Sequence, residues 1–328
     1  MEIKLVTVVK KNNGNNIIMP EIFKNVSCAF DNFEIKFEYK NQQFIIKINS
    51  DELNEQELKN IFWAFYSYLE IILGYFPKIL EASFMDKNQL ENIVEQYKTK
   101  ENFIRMSEQY IQEIDNQTFI NSFKEYRKIY KSANFPITIF NIAKMKSNPY
   151  PEITMVNALQ SFDGLFEVLF KECKNDVIDL KINRIKDYLN TIDITNIPAS
   201  DYEKLKDYMT KVSDLYFIDK LRFYIQYTRF KVFKYEEDLD DNNKYYIDSL
   251  LSKFVNTRNK FSHSVTKKDA LNGKESSLFM FKIAMLYRLL ILKKIGIDTL
   301  IEEDNFTDNL NKWNEYIYQE LEQEEVSS

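Results

Sequence analysis

The chain of 328 residues carries 44 Lys and Arg against 50 Asp and Glu, which gives a formal net charge of −6 at pH 7. This acidic balance excludes attraction to nucleic acid through overall charge, so any RNA or DNA site must be a local basic patch. Hydrophobic residues make up 45% of the chain, but only five glycines and six prolines are available for tight turns. The composition therefore predicts a sizeable core built mostly from long helices.

Several classes of site are also excluded. The two cysteines, Cys28 and Cys173, form no CxxC pattern, and a single histidine, His263, cannot build a multi-histidine metal site. Glycine-rich nucleotide motifs and a GxSxG elbow are missing. The apolar stretches 61–76 and 278–292 are too short or too charged to span a bilayer, and the first residues form no apolar signal core. We therefore expect a cytoplasmic protein with no cofactor, no metal and no membrane partner.

Residues 1–148 are predicted to form an α+β domain with a small antiparallel sheet. Apolar and polar residues alternate over 33–39 and again over 44–48, and the four polar residues between them suit a hairpin loop. A helix over 52–73, capped by Asp51, comes next. The remaining elements are a short strand or loop near 78–84 and helices near 88–98, 119–132 and 136–145.

The stretch Ser147–Pro151, with two prolines, predicts a domain boundary between residues 148 and 149. Residues 149–328 are predicted to form an all-α helical bundle, so the fold class of the whole chain is α+β. We interpret the acidic run 236–241 as a solvated loop that caps the next helix, with a divalent-metal site as the alternative. The helices of this part are predicted at 152–174, 176–191, 200–213, 216–233, 243–264, 275–295 and 306–323.

Arg258 occupies an unusual position on the helix predicted for 243–264. At about 100° per residue, it falls in the middle of the apolar stripe of that helix. A guanidinium on an apolar face needs a carboxylate, a phosphate or a protein interface. The apolar stripe of the helix 152–174 contains Asp163, and we expect Asp163 to hold and aim Arg258 through a charge-assisted hydrogen bond. The stripe around Arg258 consists of Ile247, Leu250, Leu251, Phe254 and Phe261.

The single histidine, His263, lies five residues after Arg258. Imidazole is the only side chain whose unperturbed pKa suits proton exchange near neutral pH, so any histidine acid–base chemistry depends on His263. On a regular helix, His263 lies about 140° around the axis from Arg258 and one turn after Asn259. Since an arginine suits a phosphate, the pair predicts a small site for cleaving phosphodiesters.

A basic and aromatic stretch offers a surface for RNA. Interleaved cations and rings can follow a single strand through phosphate contacts and base stacking, but the same pattern also fits an amphipathic helix with its rings in the core. Lys260, Lys267 and Lys268 lie closer to the proposed chemistry and are further candidates for binding RNA. The stretch contains Lys220, Arg222, Arg229, Lys231 and Lys234 together with Phe223, Tyr224, Tyr227, Phe230 and Phe233.

The pattern Arg258-Asn259-x-x-x-His263, near the end of a long helix in an all-helical part, resembles the RNase motif of HEPN domains. The wider layout is similar to ApeA-like HEPN proteins of bacterial anti-phage defence, in which an N-terminal part with strands precedes the helical domain. Asp163 stands where that family more often has Glu. The resemblance implies a metal-independent endoribonuclease that acts as a homodimer, in which two arginines and two histidines line one composite cleft. It also implies that residues 1–148 sense or regulate in response to an unknown trigger.

The resemblance further implies a mechanism, with RNA, tRNA being one candidate, as the substrate. His263 would move a proton from the 2′-hydroxyl or to the leaving 5′-oxygen, and Arg258 would stabilise charge on the phosphorane. Asn259 would orient the imidazole or bind a phosphate. The alternative is a non-catalytic HEPN-type module that binds RNA or protein, in which Arg258 and Asp163 are a structural pair and His263 has no chemical role.

Overall fold

Short strands come first along the chain and build an antiparallel sheet. The computed structural model describes residues 2–6, 8–10, 16–18, 27–40, 43–74, 77, 79–96, 111, 114–144, 150–190, 198, 200–201, 204, 215–228, 230, 232–233, 242–263 and 269–327. The strands are β1 (Glu2–Val6), β2 (Val8–Lys10), β3 (Asn16–Ile18), β4 (Ser27–Ala29), β5 (Glu34–Lys40), β6 (Gln43–Asn49) and β7 (Ile79–Ala82). The order β4-β5-β6-β1-β7 forms one antiparallel sheet, and β2 pairs with β3 separately.

The hairpin of β5 and β6 confirms the two strands read from the alternating pattern. Its pairing continues to Lys40 opposite Gln43, so two residues rather than four connect the strands, and the predicted four-residue loop is wrong. The physical reason is that the ladder is made by backbone groups, so polar side chains at its end do not stop it. Ile35, Ile46 and Ile48 are fully buried on the inner face, which fixes the register of the pair.

The helices of the first part are α1 (Glu55–Leu73), α2 (Lys87–Gln96), α3 (Asn116–Ser132) and α4 (Asn134–Lys144). Helix α1 is capped by Asn54 and not by Asp51 as predicted. The Asn54 side chain accepts a hydrogen bond from the Glu57 amide at 3.0 Å, and the Glu57 carboxylate accepts one from the Asn54 amide at 2.9 Å. This reciprocal arrangement satisfies two backbone donors at once, which explains the later start. Gly74, at a φ of 77°, ends the helix in the left-handed conformation.

The second part of the chain is helical, as predicted. Its helices are α5 (Pro151–Leu169), α6 (Lys174–Asn190), α7 (Phe217–Tyr227), α8 (Asn242–His263), α9 (Gly273–Lys294) and α10 (Glu303–Ser327), with short 3₁₀ turns at Lys171–Cys173 and Asp298–Leu300. The helix predicted over 216–233 ends early because Thr228 is extended, with a ψ of 148°. Of the helix predicted over 200–213, only residues 200, 201 and 204 lie within the described residues.

One hydrophobic core includes residues from both parts of the chain. Phe140 on α4 stacks on Tyr287 on α9, with ring centroids 3.6 Å apart. The neighbouring Arg288 is buried and donates from Nε to the Ile71 carbonyl at 2.7 Å and from Nη2 to the Ile72 carbonyl at 2.5 Å. These are carbonyls of the last turn of α1, which lack partners within their own helix. A side chain of the helical part therefore caps a helix of the first part.

A second buried link is the ion pair between Lys144 at the end of α4 and Glu70 on α1. Both side chains are almost completely removed from solvent, at 3% and 5% exposure.

No helix among the described residues is long and apolar enough to cross a membrane. The domain boundary between residues 148 and 149 remains a prediction.

Candidate functional site

Helix α8 carries the predicted motif. Its middle turns face the core, where Phe254 and Thr257 are fully buried. Exposure then rises along the same stripe, from 0% at Phe254 through 26% for the Arg258 side chain to 42% at Phe261. The prediction that Phe261 belongs to the buried stripe is therefore wrong, because the last turn of α8 emerges from the bundle. Arg258 lies where buried surface gives way to solvent.

The predicted pair of Arg258 and Asp163 is present. Nη2 of Arg258 donates to Oδ2 of Asp163 at 2.6 Å, with the two side chains 26% and 27% exposed. The guanidinium also lies over the Phe217 ring, 4.7 Å from its centroid, which restrains its plane. Arg258 Nε is buried and has no hydrogen-bond partner among the described residues. The hydrogen bond to Asp163 and the contact with the Phe217 ring therefore both restrain the Arg258 guanidinium.

Lys220 completes this cluster, and the sequence did not assign it there. Its Nζ donates to Oδ1 of Asp163 at 2.7 Å and to Oε1 of Glu167 at 2.6 Å. Burial alone would lower the pKa of Lys220, but the hydrogen bonds to Asp163 and Glu167 outweigh it and raise the pKa above its ordinary value. A sequence signal for a second cation did exist. Asp163 and Glu167 are four residues apart on one face of α5, so together they offer two acceptors to one cation.

Close packing between α4 and α5 fixes the position of Asp163. A Cβ at the next residue, Gly164, would come within 2.9 Å of the Pro136 side chain, so the two helices approach where only glycine fits. Ser161 on α5 donates to the Pro136 carbonyl at 2.7 Å. Helix α5 therefore presents its carboxylate from a rigid base.

Two contacts hold the chain that follows the motif. The Thr257 hydroxyl donates to the Lys253 carbonyl at 2.8 Å and accepts from the Leu271 amide at 2.8 Å. Lys253 also pairs with Glu275 in the first turn of α9 at 2.8 Å. The chain therefore returns to α8 one residue before Arg258.

The other predicted site residues are placed to different extents. Asn259 and Lys260 are half-buried near the end of α8, and Lys260 Nζ lies 5.4 Å from the centroid of the Phe261 ring. His263 is the last residue of α8, one turn after Asn259 along the backbone, and its side chain lies outside the described residues. The predicted RNA ligands Lys267, Lys268 and Arg229 also lie outside them, as do Lys231, Lys234 and the acidic run 236–241.

The basic and aromatic stretch is mainly part of the core. The rings that would have to stack on bases are buried, with Tyr227 half-buried, so base stacking is wrong for them. The amphipathic-helix interpretation is correct for Phe223 and Tyr224 on α7, whereas Phe230 and Phe233 enter the core from beyond the end of that helix. Arg222 is 20% exposed and lies 3.7 Å from the Asp219 carboxylate. The buried rings are Phe223, Tyr224, Phe230 and Phe233.

Among the described residues, no group of three His, Cys, Asp or Glu side chains could hold a metal ion.

The chain therefore combines an α+β part that leads into a helical bundle with an Arg-Asn-x-x-x-His sequence at the end of α8 and a carboxylate that binds the arginine. Residues 156–299, just under half of the chain, match the family model of Apea-like HEPN domains. Asp163 and the whole motif of α8 lie inside the match. Comparison with curated proteins and with solved structures gave no match.

Proposed function

We propose that this protein is an endoribonuclease that cleaves RNA without a metal, by attack of the RNA's own 2′-hydroxyl. The observation that carries the proposal is the 2.6 Å hydrogen bond from Arg258 to Asp163. It fixes a cation directly before Asn259, on the helix that ends at His263 and inside the HEPN match. HEPN domains are commonly ribonucleases, which supports the same reaction class.

Each residue has a distinct role in the proposed reaction. His263 moves a proton, either from the attacking 2′-hydroxyl or to the leaving 5′-oxygen. Arg258, held by Asp163, stabilises the negative charge that builds on the phosphorane oxygens. Asn259 orients the imidazole or hydrogen-bonds a phosphate. The products are a 2′,3′-cyclic phosphate and a 5′-hydroxyl, and DNA is not cleaved because it lacks the nucleophile.

A homodimer formed by the helical domain completes the proposed site. Since Arg258 and His263 are about 140° apart on one helix, a second copy that supplies facing residues brings both groups to one phosphate. The exposed Phe261 on the last turn of α8, 42% exposed, suits such an interface.

A Phe261→Asp variant is expected to shift the mass measured by light scattering from dimer to monomer. A wild-type protein that is monomeric at all concentrations contradicts this part of the proposal.

The proposed biological setting rests on the match to the Apea-like HEPN model. We propose that the protein acts in the cytoplasm in anti-phage abortive infection, with tRNA as one candidate substrate and residues 1–148 as the part that senses a trigger. Lys260, Lys267, Lys268, Arg222 and Arg229 are the proposed phosphate contacts.

One observation favours a second candidate function. Arg258 and Lys220 face Asp163 and Glu167, so two cations are balanced by two carboxylates without any phosphate. This suits a non-catalytic module that binds RNA or protein, with the cluster as a structural element.

Incubation with total tRNA separates the two functions. We expect wild-type protein to cleave in the presence of EDTA, and His263→Ala and Arg258→Ala to lose cleavage by a factor of roughly 100 or more. A substrate with a 2′-deoxy residue at the cleavage site should resist. Intact tRNA at every wild-type concentration, or cleavage that EDTA abolishes, contradicts the proposal.

Arg184→Ala is the matched control. Arg184 on α6 is 27% exposed and lies 3.5 Å from the Asp219 carboxylate, so it resembles Arg258 in exposure and partner but lies outside the motif. We expect Arg184→Ala to retain cleavage. Equal losses in Arg184→Ala and Arg258→Ala would indicate a general effect on folding.

A further inference from the structure

A cleft lies between α1 and α3, far along the chain from the HEPN motif. It has a volume of ≈ 920 Å³ and is lined wholly by residues between Phe30 and Asn134. Helices α1 and α3 form its walls, and the turn after β4 and the first residue of α4 contribute to its edges. We call it the α1–α3 cleft. Its size is in the range of pockets that hold small molecules.

Four cations of α3 line the cleft and are not all neutralised. Lys128 pairs with Glu125 at 2.6 Å, and Lys124 approaches Asp31 only to 3.8 Å. The other two, Arg127 and Lys131, have no carboxylate within 4.0 Å among the described residues. Because they are four residues apart, they lie on the same face of α3.

Three acids also line the cleft, so its four cations leave a net charge of +1. Glu57 accepts from the Asn54 amide at 2.9 Å, so its carboxylate is directed toward the first turn of α1. Asp31 is 96% exposed, and its effect on Arg127 is smaller than the cost of burial, which lowers the pKa of Arg127 below its ordinary value. The wall of α3 around Arg127 and Lys131 is therefore available to an anion.

Arg127 is fixed in a suitable position. Its guanidinium lies over the Phe33 ring, 4.7 Å from the centroid, and the side chain is half-buried. This stacking restrains the plane of the guanidinium but uses none of its N–H donors. An ordered arginine fork that makes no hydrogen bond to another described residue suits the paired oxygens of a phosphate.

Aromatic and amide side chains line the same cleft. Trp63 on α1 and Tyr130 on α3 are both partly exposed, and Asn60 and Asn121 lie on the same two helices. Indole and phenol rings can stack on a heterocyclic base, and amides can pair with donors and acceptors on the edge of a base. Cations on one part of a cleft and rings on another suit a ligand with a phosphate at one end and a planar ring at the other.

We propose that the α1–α3 cleft binds a nucleotide, with its phosphates on Arg127 and Lys131 and its base against Trp63 and Tyr130. The cleft lies outside residues 156–299, so this site is separate from the Arg258 site. The proposal does not depend on the ribonuclease function, and either can fail without the other.

Fluorescence of Trp63 tests the proposal directly. The chain has two tryptophans, so Trp313→Phe leaves Trp63 as the only indole. In this background we expect ATP and GTP to quench the emission saturably. Pyrophosphate should compete with them but cause no quenching itself, because it has no base. Arg127→Gln and Lys131→Gln should each weaken ATP binding by about tenfold.

The controls separate local binding from folding. Lys131 is exposed, so Lys131→Gln should fold normally even if Arg127→Gln does not. Lys87→Gln on α2, with a side chain 88% exposed outside the cleft, should leave ATP binding unchanged. Three results would each overturn the proposal: no saturable quenching by ATP or GTP up to the millimolar range, pyrophosphate binding as tightly as ATP, or equal affinities in Lys131→Gln and wild type.

Discussion

Two lysines of this protein bind carboxylates, yet their pKa values move in opposite directions. Lys144 pairs with Glu70 in a buried site, and burial lowers the pKa of Lys144 despite the nearby carboxylate. Lys220 binds Asp163 and Glu167 at the edge of the bundle, where the two hydrogen bonds outweigh burial and raise its pKa. One carboxylate in a closed site does not compensate for lost hydration, whereas two in a half-open site do.

The comparison separates a structural pair from a site that remains available to a ligand. Glu70 and Lys144 join α1 to α4 and are closed to any ligand. The Asp163 cluster is open to solvent on one side, and Arg258 enters it with its Nε still without a described partner. The same chemical groups thus stabilise the fold in one place and present a cation in the other.

The largest expected effect is on stability, at the buried ion pair of Glu70 and Lys144. Lys144→Met leaves Glu70 buried and unpaired, and we expect the free energy of unfolding to fall by about 3–5 kcal/mol. Urea denaturation measures this. The double variant Glu70→Leu/Lys144→Met should recover most of the loss, because no buried charge remains. A single variant as stable as wild type would mean that the site is not dry.

A smaller effect, on RNA cleavage, is expected at the Asp163 cluster. Asp163→Asn removes the charge that positions Arg258, and we expect RNA cleavage to fall by roughly 10- to 100-fold through misplacement. Asp163→Glu should restore much of it, since the carboxylate returns. Glu167→Gln removes only a partner of Lys220 and should cleave nearly as wild type does. Unchanged cleavage and stability in Asp163→Asn would contradict the positioning role.

Alkaline pH should distinguish the two lysines by sign. Because the pKa of folded Lys220 is raised, its stabilisation is complete below the ordinary value of 10.5 and is lost as pH rises through the folded pKa. The lowered pKa of Lys144 has the opposite sign, so stability increases as pH rises from the folded pKa to 10.5. Unfolding of wild type, Lys220→Met and Lys144→Met across this range measures both slopes. Slopes of the same sign would contradict the comparison.

The smallest effect is expected for an ion pair at the surface of α1. Glu55 and Lys59 on α1 are 2.6 Å apart, but their side chains are 72% and 30% exposed. We expect Glu55→Gln to melt at the wild-type temperature within error, because solvent screens the pair. A clear loss of stability would show that distance, rather than burial, decides the strength of these pairs.

Much of this arrangement could be predicted from the sequence, because periodic apolar residues mark helix faces. The pattern placed Arg258 and Asp163 on facing stripes, and the hydrogen bond between them is present. It could not give the contribution of Lys220, which depends on how α7 crosses α5. Nor could it show that Phe261 is exposed, since periodicity gives the direction of a side chain but not where the covering helices end.

Boundaries were less predictable for a related reason. The start of α1 was set by a reciprocal bond between Asn54 and Glu57, and a capping residue nearby in sequence competed with it. The shared core of the two parts depends on contacts between distant residues, such as Arg288 and Ile71, which no local pattern contains.

The bond between Thr257 and Leu271 bears on how freely this region can vary in length. It joins the motif helix α8 to a residue two positions before α9, across residues 264–268. Doubling the length of a loop with fixed ends costs only about 0.6 kcal/mol. We therefore expect insertions after His263 to change the free energy of unfolding little, while RNA cleavage falls because Lys267 and Lys268 no longer keep their spacing from the motif.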